Sequence, residues 1–448
     1  MWPFVARGKA QPYSKTYETV SEKDISAYLN DKSMVQWVGE VIPLDPLDIM
    51  MNKNRVIPFF LPIVSADKQQ VVGYEVQPYW MEANERIKLN WFFEDRSIPS
   101  EYRLELEDDL QKKAIDLYTA ENGKKMLYFN YDVRLLKKQA GQMLLDRLEA
   151  MQQLGIPLKR IIVNIVCEQS VEELLEVKHT MVYMQSLGVQ LAVNADYSAA
   201  NQLELFTKLK PNVICVNCSF LEENLLPGMY RDVHQPLALF ARKIGATLLF
   251  QGVETFAQFN YAWRSGGRYY QGPYFQQATK GFVDENSFKD KLKKDMHHFI
   301  HYEREKMKAQ FTLSNQLSQT LKQAMKDLKQ DQGYDEIVLN VAKALNAYTF
   351  RVYICDEDGI QQSANAEKDA EGNWLLLKES RAKNWSWRPY FLENIVRMNV
   401  EKKGILSDLY TDIERDEQIR TYSYPLNDKL YVFVDIPYAF LFEQNGLL

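Results

Sequence analysis

RIIVNIV at residues 160–166, VQLAVNA at 189–195, NVICVNC at 212–218 and TLLFQGV at 247–253 are four short apolar runs, each carrying a side-chain amide at or near its end. Runs of the same texture flank them: RVIPFFLPIV (55–64), QQVVGYEV (69–76), KMLYFNY (125–131) and GRYYQGPYF (267–275). Amphipathic stretches of helical period lie between, such as EYRLELEDDLQKKAIDLYTA (101–120) and VEELLEVKHTMVYMQSLG (171–188). Gly155, Gly188 and Gly245 stand where a helix would close just before the next strand. This alternation between residues 55 and 283 predicts an α/β fold, a TIM-like βα barrel. Its first two runs are joined only by the turn Ala66–Gln69, so one strand is expected to be antiparallel.

In such a barrel the C-terminal strand ends converge on one mouth, where binding and chemistry occur. There the sequence places Asn130, Asn164, Asn194, Asn217, Gln251 and Gln271, with only Glu75 and Glu254 carrying negative charge. Neutral amides hydrogen-bond a ligand well, but hard divalent cations want charged oxygen ligands.

The chain has 448 residues, enough for two or three units, and 46% hydrophobic with 25% charged side chains marks it as globular. A formal net charge of −6 shows no basic bias, which argues against DNA or RNA as a partner. No apolar run is long enough for a membrane span, and MWPFVARGKAQPYSK (1–15) lacks the pattern of a secretion signal. Four cysteines, Cys167, Cys215, Cys218 and Cys355, are too few for a disulfide framework, so a cytoplasmic setting is expected. Cys215 and Cys218 form a C-x-x-C, yet they fall on a strand and its exit. An offset of three there turns the thiols to opposite faces, and no second pair completes a zinc site. Buried small hydrophobes are the expected role.

Between Gly281 and Gly333 there is neither glycine nor proline. Phe288, Leu292, Met296, Phe299, Ile300, Met307, Phe311, Leu317, Leu321 and Leu328 mark an apolar stripe, broken at Glu303. A connecting helix over 284–332 is expected, as a rigid spacer or as a signalling or dimerisation helix. His297, His298 and His301 on it read as a solvated face. From residue 333 to 448 the texture changes to one helix and several antiparallel strands, a small α+β domain. Residues 1–43 form an N-terminal extension, with a loose tail and a docked segment both open.

The residues VVGYEVQPYW (71–80) and the runs after them resemble the EAL domain, from about Asp45 to Phe282. Members of that family hydrolyse cyclic di-GMP with two divalent cations at the barrel mouth. By this resemblance Glu75 is the motif's glutamate and Asn130 its partner on the metals. A metal-binding Glu is replaced by Asn164, and paired Asp residues by Asn194 and Ala195. A water-positioning Lys is replaced by Cys215, the following Asp by Asn217 and a further Glu by Gln251. Glu254 and Gln271 match the family. Leu61 and Tyr79 stand where it has a ligand-contacting Gln and a phosphate-contacting Arg. The resemblance therefore implies a degenerate site with no catalytic residues, no bound metal and no cofactor, and only weak cyclic di-GMP binding. Each retained residue also has a plain structural reading: Glu75 as a relic, Asn130 and Gln271 as strand-end caps, Glu254 as a loop tie.

The C-terminal part resembles PAS- and Cache-type sensor domains through NWSWRPYFLENI (384–395), GILSDLY (404–410) and IRTYSYPL (419–426). That likeness implies a pocket of Trp385, Arg388, Tyr390, Asp408, Tyr410 and Arg420 for a small anion or amino acid. The alternative is that the aromatics are core and Arg388 a structural ion pair. The expected function is a non-catalytic regulatory protein of cyclic di-GMP signalling. A metal-independent cyclic di-GMP receptor is the alternative, and a residual phosphodiesterase comes third. A protein partner or a homodimer through the barrel or the connecting helix is a further expectation.

Overall fold

A computed structural model describes residues 44–443 apart from 83–84, 122, 134–135, 137–138, 167–174, 196–201, 219–226 and 327–331. Cys167, Leu328 and the 1–43 extension thus lie outside the described residues. The chain divides into two compact units, one ending at Lys294 and the other beginning at Asp295.

Among its described residues the first unit has nine strands: β1 (Val56–Ser65), β2 (Val71–Glu82), β3 (Glu85–Lys88), β4 (Met126–Asp132), β5 (Ile161–Val166), β6 (Gln190–Asn194), β7 (Val213–Asn217), β8 (Thr247–Gln251) and β9 (Tyr269–Tyr270). They run in the order β1-β9-β8-β7-β6-β5-β4-β2, and β1 also pairs with β2, which closes a ring of eight. The strand β3 extends β2 outside the ring. β1 is antiparallel to both its neighbours, as the short turn after it requires, and the other pairs around the ring are parallel. Gly155, Gly188 and Gly245 have φ of +79°, +97° and +76°, the left-handed helix ends anticipated from the sequence. Ile63, Val72, Tyr128, Ile162, Ala192, Val213, Cys215 and Leu249 fill the barrel, each from a strand of the ring.

Three strands run past the residues taken as their ends. β2 continues from Glu75 to Glu82, β4 from Asn130 to Asp132 and β5 from Asn164 to Val166. The hydrogen-bonded ladder thus carries on past Glu75, Asn130 and Asn164.

The long helix spans Lys289–Lys326. It starts later than expected because Asp284 Oδ1 accepts from the Asn286 N–H at 2.9 Å, an Asx turn that occupies the preceding residues. The apolar stripe is not one face. Leu292, Phe299, Leu317 and Leu321 are buried, whereas Ile300, Met307 and Phe311 are exposed, Phe311 at 71%. His297, His298 and His301 are exposed, as read from the sequence.

The second unit holds an antiparallel sheet in the order β12-β11-β10-β16-β15-β13, with β14 paired to β15. The strands are β10 (Arg351–Asp356), β11 (Asn365–Lys368), β12 (Trp374–Leu377), β13 (Ile405–Leu406), β14 (Tyr410–Thr411), β15 (Gln418–Pro425) and β16 (Leu430–Pro437). Leu313, Leu317 and Leu321 of the long helix join Val338 and Val341 of the helix Tyr334–Ala344 over one face of this sheet. The helix Pro389–Glu401 packs Phe391, Ile395 and Met398 against Tyr353 and Phe433.

Candidate functional site

Glu75, Asn130 and Asn164 sit on three neighbouring strands, with Asn130 and Asn164 directly in register. Glu75 is 6% exposed, and both its carboxylate oxygens accept hydrogen bonds from side-chain amides. Asn130 Nδ2 donates to Oε1 at 2.7 Å, and Gln271 Nε2 donates to Oε2. Asn164 Nδ2 in turn donates to Asn130 Oδ1 at 2.8 Å. Gln271 is held rigidly, since its backbone N–H donates to Phe250 O and its carbonyl accepts from the Val253 N–H. Gly272 follows at φ +148°, where a Cβ would lie 2.4 Å from Val253 N, so no other residue fits there.

The linkage leaves the buried oxygens Asn164 Oδ1 and Gln271 Oε1 with no hydrogen-bond partner, and Asn194 Oδ1 on β6 has none either. Such acceptors are costly unless water or a ligand donates to them. Of the three, Asn194 lines a cavity of about 370 Å³, within the range of small-ligand sites. Asn130, Asn194, Asn217 and Gln251 line it, as the strand-end pattern anticipated.

The other positions of the sequence reading fall differently. Cys215 is 1% exposed and lies in the barrel core, its Sγ 3.1 Å from the Tyr128 hydroxyl. Burial pushes its thiol up to about 12, and does the same to Cys218, so neither is a reactive thiolate. Ala195 is buried, and its N–H donates to Cys215 O at 2.7 Å. Glu254 is exposed, and its backbone N–H, not its carboxylate, makes the loop contact, to Gln258 Oε1 at 2.7 Å. Leu61 lies opposite Glu75 in the β1–β2 register. Among the described residues, no three of His, Cys, Asp and Glu converge as a metal-binding group.

Sequence reasoning missed two features. Arg86 on β3 lies 5.6 Å from the Tyr79 ring and 5.3 Å from that of Phe59, while its guanidinium donates to Ala278 O and Gln277 Oε1 at 2.7 Å each. A cation thus stands beside Tyr79. The signal was the β2–β3 hairpin, invisible while the strand was taken to stop near Val76. The second is the cavity's far wall, formed by Asn90, Glu94 and Arg96 with Glu107 and Gln111 of the helix Ser100–Ala120.

In the second unit, Trp385, Arg388 and Tyr410 do come together. The Arg388 guanidinium carbon is 4.6 Å from the Trp385 ring and 5.6 Å from those of Trp387 and Tyr410. They line a cavity of only about 20 Å³, room for about one water and not for an amino acid. Arg420 is buried and donates to Ser407 O at 2.9 Å, and Asp408 is exposed; neither lines that cavity. The side chain of Tyr390 lies outside the described residues. Behind the cavity, Tyr410 and Thr421 share a hydrogen bond of 2.6 Å, and Thr421 donates to Asp435 Oδ1 at 2.6 Å. Asp435 also accepts from Arg351 Nε at 2.7 Å, and Arg351 meets Asp412 and Glu414 at 2.8 Å each. Burial raises the Asp435 carboxyl and Arg351 opposes that rise.

Comparison with known proteins places these features. Residues 46–278 match the EAL domain, and residues 282–448 match the EAL-domain associated signalling protein domain. The uncharacterised EAL-domain containing protein YkuI of Bacillus subtilis (strain 168) is 36% identical over 407 residues, which covers 90% of this chain and 100% of that protein. The crystal structure of B. subtilis YkuI in complex with substrate cyclic di-GMP and calcium matches with a TM-score of 0.83 and 37% identity, again over 90% of this chain and 100% of that one.

Proposed function

The chain belongs to the family of EAL-domain proteins that carry the EAL-associated signalling domain, and from that premise we propose that it is a cyclic di-GMP-binding regulatory protein that does not hydrolyse the nucleotide. The observation that carries this reading is the bonding of Glu75: the one carboxylate of the amide network is occupied by the neutral donors of Asn130 and Gln271. Two-metal phosphoester hydrolysis needs several carboxylates to hold two cations and generate a bound hydroxide. Around Glu75 the other mouth positions are Asn164, Asn194, Ala195, Asn217 and Gln251, a donor set that does not fit two hard divalent cations. Cys215, buried with its proton retained, supplies no ammonium to an attacking water.

Binding survives these changes better than catalysis does. The cavity supplies shape, its Asn194 oxygen an unpartnered acceptor, and Arg86 on β3 a positive charge, all without a metal. The relative with cyclic di-GMP bound covers both domains of this chain, which supports the same ligand class here. The EAL-associated signalling domain is then the module through which binding is coupled to another signal. Calorimetric titration of the full chain with cyclic di-GMP, in EDTA and then in Mg²⁺ or Ca²⁺, tests the reading. Equal affinity in all three supports metal-independent binding; no heat and no complex in any of them refutes it.

A further inference from the structure

The barrel cavity is larger than its amide floor needs. Its far wall holds a carboxyl that no part of the mouth chemistry uses, on Glu107, 8% exposed and yet lining the space. Among the described residues this carboxyl has one hydrogen bond, from Gln111 Nε2 to Oε1 at 3.3 Å. The direction of that bond is fixed, because the Tyr131 hydroxyl donates to Gln111 Oε1 at 2.6 Å and so turns the Gln111 amino group towards Glu107. Arg103 ties the wall together, donating to Phe93 O at 3.3 Å and standing 3.6 Å from Asp132 on β4. A carboxylate that lines a cavity with a single protein hydrogen bond keeps acceptor capacity that a ligand with adjacent N–H donors would use. Phe93 and Leu110 beside it offer apolar faces to a planar ring.

We infer that Glu107 is the specificity-determining residue of this cavity, accepting the N1–H and 2-amino donors of a guanine base that lies between the far wall and the amide floor. The inference rests on the cyclic di-GMP reading and adds the part of the ligand that the protein selects. Adenine has no 2-amino group and presents an acceptor at N1, so its edge meets the carboxylate wrongly. The ionised carboxylate is the form that accepts both donors. Burial, then Asp132, pushes Glu107 up to about 8, so ligand binding draws off its proton. The charged and titratable groups facing it are Asp132 and Tyr131 from β4, Arg103 from its own helix, and Glu94 and Arg96 across the cavity.

The test compares cyclic di-GMP with cyclic di-AMP on the full-length wild type and on Glu107→Gln by calorimetry at pH 7, with thermal melts to verify folding. The wild type should prefer cyclic di-GMP by at least about tenfold, and Glu107→Gln should lose about that factor on cyclic di-GMP alone, so the preference collapses. Wild-type affinity for cyclic di-GMP should also rise severalfold from pH 6 to pH 8, and this measurement stands even if the variant does not fold. A variant that binds with unchanged preference, or a flat wild-type pH profile, overturns the role of Glu107 while leaving the cyclic di-GMP reading intact. A wild type that binds neither nucleotide overturns both.

Discussion

Asn130 Nδ2 donates to Glu75 Oε1 at 2.7 Å, so the buried Glu75 carboxylate is held by a neutral amide. With Gln271 on its other oxygen and Asn164 behind Asn130, the linkage spans the strand ends as hydrogen bonds where a metal enzyme would use charge.

Cys215→Lys, which restores the residue type expected in an active site, should destabilise the barrel. The side chain is buried in the core beside Tyr128, and an unpaired ammonium there costs several kcal/mol, about 3 or more. Urea unfolding is expected to show a lower midpoint, and an unchanged midpoint would mean that the mouth reaches deeper than the core packing indicates.

Arg86→Ala should weaken cyclic di-GMP binding by about tenfold, roughly the loss of one charge-assisted phosphate contact. The guanidinium lies over Tyr79 beside the expected phosphate position. A second effect, loosening of the 277–278 segment that Arg86 bonds, is read separately by melting the unliganded protein.

Glu107 gives the stability of the barrel a pH dependence with a definite sign. Its carboxyl is raised to about 8 in the folded state from an ordinary value of 4.5. The native protein therefore binds this proton more tightly than the unfolded chain, and stability is lost as pH rises through that interval. Between pH 6 and pH 9 the unliganded wild type should lose a few degrees of Tm, at about 2–4 °C per kcal/mol, and Glu107→Gln should lose less. Equal slopes in the two proteins would contradict the shift.

Arg351→Met should cost about 3–5 kcal/mol in the C-terminal domain, because Asp412 and Asp435 are left buried without their cation. Denaturation followed by Trp fluorescence measures it. Adding Asp435→Asn to that variant should recover part of the loss.

The barrel was legible because its signals are local. The short turn after β1 allowed only an antiparallel hairpin, and Gly155, Gly188 and Gly245 marked helix ends through a backbone conformation that favours glycine. The mouth was legible through Asn194, Asn217 and Gln251, each at a strand end, and through Asn130 two residues before one. Features that depend on tertiary pairing were not. Arg86 matters only because β3 folds back on β2, and Glu107 reads as one more charge on an amphipathic helix until the cavity behind it is seen. The stripe on the long helix mixed two faces, since Phe299 and Leu317 are buried while Met307 and Phe311 are not. In the C-terminal domain Trp385, Arg388 and Tyr410 lie together around a cavity of about 20 Å³, a volume that composition does not reveal.

The most direct measurement is product analysis of purified protein incubated with cyclic di-GMP and Mg²⁺ or Mn²⁺, followed by chromatography of the released nucleotide. Cyclic di-GMP recovered intact, at the level of a protein-free control, is the expected result. Metal-dependent formation of linear pGpG that disappears in Glu75→Ala would contradict it and return the chain to the phosphodiesterases.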